Sequence, residues 1–401
     1  VFHVIGAKGR AGVAFVVLAS AMVLWVATAQ MSDHDRAADF LKVILAMPGP
    51  SVARGPAQWL VDHYATSDDY KVVGLFHLPP FSMALSLIFR QAFGLISPVF
   101  LYFAAVGGFA LSLALMMLNL TRSRLWAAAA LFTYPAVLII DRGNFYAGIT
   151  GICLVAALVR RQPDWTAAFL FAIAVNIRPN AAFCALPLAF IDWRFIPKTA
   201  GVSAILFVAS LPVAHALWPA YDLPTFFRGL AHYASLYADR GDGVPGGSSA
   251  YGALWALGWP HAYLLATMIG LLPLITGWMT FAERKIGYGD FVFICTAATA
   301  LATTVFADYH LLVFVAPLVL ARGWTVRAAC LLLLAPKGYW LIVDNLTVQV
   351  ALNPMIMLCA TALILGRAAL LGHDRNGAGA ELPSIAAVDP IFHGEGVRAG
   401  R

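Results

Sequence analysis

The sequence predicts an all-α fold, a polytopic transmembrane helical bundle of about 11–13 membrane helices. Three observations predict it. Hydrophobic residues make up 61% of the 401-residue chain and charged residues 11%, with a mean hydropathy of +0.80. A soluble domain carries about a quarter charged residues, so this chain cannot cover itself with a hydrated surface and needs lipid as solvent. Apolar runs recur along nearly the whole length, and the basic residues fall in short clusters between them.

The first run, 11–29, follows Lys8 and Arg10 and reads as an anchor helix continuing into the bundle, not as a cleaved signal peptide. A loop then runs from Gln30 to Leu78. From Ala37 its apolar residues recur at helical spacing, which predicts a short helix lying on the membrane surface. The segment 78–95 is apolar but interrupted by Arg90 and Gln91, so it is predicted to dip into the membrane without crossing. Spans are predicted at 98–120, 126–140, 145–159, 164–177, 181–192, 199–218, 261–280, 290–306, 309–321, 326–343 and 348–366. Several fall below the roughly 20 residues of a full span and are tolerable only when packed against other helices or lining a polar cavity. The stretch 219–250 reads as a long outer loop. No internal repeat and no Gly/Pro-broken helix pair in matching halves is apparent. The tail 372–401 is polar and Gly-rich, predicting a disordered cytoplasmic end after a membrane domain spanning 1–371.

The basic pairs orient the bundle. Counting crossings from a cytoplasmic N-terminus puts Arg122 with Arg124, Arg160 with Arg161, Arg194 with Lys198, Arg284 with Lys285, Arg322 with Arg327, and Arg367 with Arg375 on one side. That agreement requires 78–120 to make one net crossing. The net charge of +6 is thereby a topological signal, and no basic stripe is long enough to track nucleic-acid phosphates. The five cysteines lie inside apolar runs without a CxxC pair, as small buried hydrophobes and not disulfides or metal ligands.

The opposite side gathers a different set. The first outer loop opens MSDHDRAADF, with Asp35 and Asp39 one turn apart. A carboxylate beside lipid is a candidate general base, because desolvation raises its pKa toward neutrality; it reads equally as a helix cap or a solvated acid. His77 lies in FHLPPF, where it meets either a phosphate or the headgroup level. In DRGNFYAG, Arg142 and Asn144 sit on a tight turn between two spans, as an Asp141–Arg142 interfacial pair or a cation for a lipid phosphate. NIRPN places Arg178 on a second tight turn, and a guanidinium forks onto two phosphate oxygens. ADYHLLVF starts a span with Asp308, Tyr309 and His310, at backbone N–H groups that favour an anion or accept Asp308 as a cap. Lys337, near the outer end of its span, either snorkels or joins the phosphate partners. The Gly-rich GDGVPGGSSAYG has no phosphate-loop pattern, and HExxH, GxSxG, Walker and GxGxxG signatures are absent, so neither a soluble nucleotide site nor a metal pair is expected.

These motifs come in a recognisable order: an acidic loop with a DF pair, a proline pair, an RGN turn, a basic-residue–Pro turn and a DYH helix start. Over residues 10 to 366 the chain resembles the polyprenol-phosphate-sugar-dependent glycosyltransferases of the GT-C superfamily. It is most similar to glycosyltransferase family 87, which includes alpha-mannosyltransferases. The resemblance implies a multi-pass enzyme of the bacterial inner membrane with its site on the extracytoplasmic side. It implies a polyprenyl-phosphate sugar donor, with mannose favoured, a lipid or glycan acceptor, membrane lipids as surroundings and no cofactor. By the match, Asp39 is the general base and Asp35 the reserve. Arg178 and His310 hold the donor phosphate, with Arg142 and His77 beside them, and Asn144, Tyr309 and Asp308 line the site. Arg178 departs from the family's more usual Lys. Two other classes compete: a lipid or sugar transporter or flippase, which would show repeats, discontinuous helices and a mid-membrane site, and a membrane polymerase or ligase acting on polyprenyl-linked glycans.

Overall fold

In a computed structural model of the chain, the described residues are 7–28, 40, 78–239, 247–304, 306–336 and 346–375. Among them every regular element is helical. The order is α1 (Ala7–Thr28), α2 (Pro80–Ala92), α3 (Pro98–Thr121), α4 (Arg124–Leu131), α5 (Tyr134–Arg142), α6 (Phe145–Arg160) and α7 (Trp165–Ile177). A 3-10 segment, Pro179–Ala185, leads into α8 (Leu186–Ile191). Then come α9 (Phe195–Leu217), α10 (Leu223–Asp239), α11 (Ala250–Ala256), α12 (Ala262–Ala282) and α13 (Tyr288–Ala302). A second 3-10 segment, Asp308–Phe314, leads into α14 (Val315–Leu320), followed by α15 (Trp324–Leu334) and α16 (Leu346–Arg375).

Among the described residues four helices are long and apolar enough to cross a membrane: Pro98–Thr121, Phe195–Leu217, Ala262–Ala282 and, within α16, Val350–Leu370. The pair α4 and α5, bent by 53°, makes a fifth if counted as one broken span. The most apolar windows of α3 and α9 are only 11% and 6% buried inside the protein, and α9 turns Ile205 and Val208 outward. Such surfaces suit lipid and not water. The short elements are the inverse. In α13, Phe291 to Leu301 are all buried, in a core shared with α6, α7 and both 3-10 segments.

Small residues bring the two layers together. A Cβ on Gly270 would stand 2.7 Å from the Ala298 carbonyl oxygen, and one on Gly277 2.7 Å from the Ile294 side chain. Two glycines seven residues apart on α12 thus let it lie directly against α13.

Several sequence expectations need correction. The run 126–140 is two helices, because Pro135 lacks the N–H that would continue α4. The runs 181–192 and 309–321 are not plain helices but 3-10 turns followed by one and a half turns of α-helix. Pro187 and Pro317 cannot donate to the carbonyls four residues earlier, which favours the tighter winding upstream. Each segment stays continuous, the 3-10 winding passing directly into the α-helix. Within the 219–250 stretch, residues 223–239 are no open loop: Leu223, Phe226, Phe227 and Leu230 recur at helical spacing in α10, whose start is capped by Asp222 Oδ1 accepting from Thr225 N at 2.7 Å. The run 326–343 ends its helix at Leu334, two residues before Pro336. The last helix continues to Arg375, beyond the 348–366 span and into the 372–401 tail.

The segment 78–95 contains the 13-residue helix α2. Near its start, Leu78 O accepts from Tyr221 Oη at 2.6 Å, just past the end of α9. Beyond its end, Phe93 packs on Phe40, which rests on the α5–α6 turn. In between, Tyr146 Oη donates to Ser82 O at 3.2 Å. Met83, Ala84 and Leu87 of α2 share a small core with Ala214 of α9 and with Trp218 and Tyr221 beyond it.

Candidate functional site

The site is built on the turn between α5 and α6. Helix α5 ends at Arg142, and Gly143 follows with φ 70° in the left-handed region. Asn144 then caps α6, its Oδ1 accepting from Ala147 N at 3.2 Å. Gly143 is required twice over. Its φ suits glycine, and a Cβ there would come 2.6 Å from Phe40 Cβ. Phe40 is 4% exposed, with its ring among Phe89, Phe93, Tyr102 and Phe145. The residue that follows Asp39 in sequence is therefore seated on the turn carrying Arg142 and Asn144.

One turn further along α6, Ala147, Thr150 and Gly151 form the wall of a cavity of about 30 Å3 that also takes in Arg178, Asn180 and His310. Arg178 reaches it because α7 ends at Ile177 and Pro179 forces a break, leaving Arg178 extended at φ −137°. His310 reaches it from the second 3-10 segment, which lies close to α6: a Cβ on Gly151 would stand 2.8 Å from Leu312. The ring of His310 contacts Phe306 and Tyr309 at 5.3 and 4.6 Å between centroids. Both its nitrogens are buried and make no hydrogen bond among the described residues. A buried polar group left so costs roughly 1–3 kcal/mol, and such a cost is characteristic of a binding group. Arg178 is near enough to act electrostatically on both His310 and the Tyr146 hydroxyl. One fixed cation and one imidazole thus face the same small space, an arrangement that suits an anion's oxygens.

Asp308 does something other than line this cavity. It is 2% exposed, and its Oδ1 accepts from Ser248 Oγ and, at 3.4 Å, from Asn353 Nδ2. Asn353 Nδ2 also donates to Ser248 Oγ at 2.6 Å, and Ser248 N to Phe306 O at 2.6 Å. The helix-cap reading fails: Ala307 occupies the cap position and no side chain caps it. Asp308 instead ties Ser248, just before α11, and Asn353, in the N-terminal part of α16, to the residues just before His310.

Of the sequence-predicted residues, Arg178 and His310 share a cavity, and Tyr309 contacts the His310 ring. Asn144 and Arg142 occupy the turn above. Asp35, Asp39, His77 and Lys337 lie outside the described residues. Tyr146, Ser248 and Asn353 were not anticipated. For Tyr146 a signal existed, since it follows the RGN turn directly. For Ser248 and Asn353, neutral residues in Gly-rich or apolar surroundings, there was none. Among the described residues no group of three or more His, Cys, Asp or Glu side chains is placed to hold a metal ion. Comparison of the chain with protein families, with curated proteins and with solved structures gives no match.

Proposed function

We propose that this membrane protein is a glycosyltransferase that moves a hexose, with mannose favoured, from a polyprenyl-phosphate donor to a lipid or glycan acceptor at the outer face of a bacterial inner membrane. The observation that carries the reading is the juxtaposition of Arg178 and His310 in one cavity, one helical turn from the turn on which Phe40, the neighbour of Asp39, is seated. In the proposed reaction the Asp39 carboxylate takes the acceptor hydroxyl proton. The acceptor oxygen attacks the anomeric carbon, the carbon–oxygen bond to phosphate breaks, and polyprenyl phosphate leaves with both bonding electrons. Charge grows on the leaving phosphate, so Arg178 and His310 lower the barrier by binding it more tightly as it departs. Asp35 is the alternative base, and Arg142, His77, Asn144 and Tyr309 complete the surroundings.

The test is an assay of purified protein in detergent with a panel of polyprenyl-phosphate sugars and membrane-lipid acceptors, products read by mass spectrometry. One donor is expected to give a glycosylated acceptor in wild type and none with Asp39→Asn. Equal product from that variant would remove Asp39 from the chemistry. A second reading, a lipid or sugar transporter, has its own support in the 53° break between α4 and α5, since transporters build sites on discontinuous helices. Proteoliposomes separate the two: a transporter moves labelled donor across the bilayer with no new glycosidic product.

A further inference from the structure

At the end of the bundle remote from the His310 cavity, a cleft of about 500 Å3 opens between α1, α4, α13, α15 and α16. Arg10, Lys285, Arg322, Arg327 and Arg367 line it, with Asp290 as the one carboxylate. They come from segments far apart in sequence. Asp290 is close enough to feel both Arg327 and Arg367, and Arg327 to feel Arg10. Lys285 pairs with Glu283 at 2.7 Å, and Arg327 donates to Ala321 O. Among the described residues five basic side chains and one carboxylate thus line a single cleft. A topological signal needs basic residues on one side; it does not need them around one cavity.

The remaining walls are apolar. Val13, Trp126, Leu331 and Leu363 line the same cleft, and Val13 and Leu363 stay 39% and 64% exposed on surfaces suited to lipid. A charged pocket continuous with an acyl-accepting surface fits an amphiphile better than a soluble anion. Its volume falls in the range of small-ligand sites, and guanidinium groups match phosphate oxygens in geometry. We propose that this cleft binds the phosphate headgroup of an anionic phospholipid from the leaflet at the basic end, with its acyl chains along α1 and α16.

The test uses the full chain in neutral detergent, with retained lipid read by native mass spectrometry. The probes are phosphatidylglycerol, phosphatidylcholine of the same chains, and inorganic phosphate. Wild type is expected to retain phosphatidylglycerol at least about tenfold better than phosphatidylcholine, and Arg322→Gln with Arg367→Gln to erase the difference. Asp290→Asn keeps the side chain's shape and removes the repelling charge, so it should strengthen retention. Arg122→Gln with Arg124→Gln, basic residues of the same end outside the cleft, should change nothing. Three results would overturn the site: equal loss in the Arg122/Arg124 variant, full retention in the Arg322/Arg367 variant, or no gain with Asp290→Asn. Displacement of the lipid by equimolar inorganic phosphate would overturn the lipid class.

Discussion

At one end of the bundle Arg178 stands at a helix break beside His310, around about 30 Å3 of cavity; at the other, five basic residues surround about 500 Å3. Charge alone would rank the second end first. The first is distinguished by how its groups are held. His310 is enclosed by short helices that leave its nitrogens no hydrogen-bond partner among the described residues, while Arg327 at the other end has a backbone acceptor and Asp290 near it. Basic residues at a bundle's end follow from topology, although their gathering around one cleft does not. An enclosed ring whose two nitrogens have no hydrogen-bond partner among the described residues is costly, and that cost calls for a use.

The comparison is broken most severely by substitution at the enclosed end. Arg178→Ala should lower turnover about 10²–10³-fold, as loss of one transition-state donor does, while Arg124→Ala at the basic end leaves it unchanged; steady-state kinetics with the polyprenyl-phosphate donor check both. Replacing His310 with Leu should separate function from stability. Donor use should fall by about tenfold or more, yet the melting midpoint in detergent should rise, because a buried unpaired group worth roughly 1–3 kcal/mol is removed. A lowered midpoint would mean that His310 is a satisfied core residue. Gly151→Val should cost about 1–3 kcal/mol by overpacking, because its side chain would push on Leu312, two residues from His310. Thermal unfolding would report this as a lowered midpoint alongside reduced activity.

The smallest effect belongs to Asp164, the cap of α7, whose Oδ1 accepts from Ala167 N at 2.8 Å. Burial pushes its carboxyl up, but hydrogen bonds from Ala167 and Arg160 outweigh this and hold it below the usual carboxylate range. Its folded pKa is thus lower than its unfolded one. The stability it adds is present above the unfolded value, about 3.9, and is lost as pH falls through the folded value. Asp164→Ala should cost roughly 1 kcal/mol at neutral pH. Asp164→Asn keeps the cap and flattens this acid dependence, which melting curves between about pH 5 and 3 would detect.

The bundle's class was legible because lipid exposure demands long apolar helices, and Phe195–Leu217 announces itself by composition. Proline placement was legible too, at Pro135, Pro187 and Pro317, but hydropathy reads only how apolar a run is, so it merged two helices into one span and missed both 3-10 segments. Arg178 and His310 stood out as ionisable residues at turns between apolar runs. Their meeting was not legible, because it depends on Gly151 admitting Leu312 and on the Ser248–Asn353–Asp308 network fixing the residues before His310. Neutral serine and asparagine carry no pattern that reveals such a tie.

The proposed chemistry requires the acidic loop to share one face of the membrane with Arg178 and His310, and cysteine accessibility tests this most directly. In a Cys359→Ala background, whose other cysteines are buried, single variants Asp39→Cys, Arg142→Cys and Lys285→Cys would be treated with a membrane-impermeant maleimide before and after permeabilising cells. Positions 39 and 142 are expected to react from the outside and position 285 only after permeabilisation. Reaction of 39 and 142 from opposite sides would contradict the account.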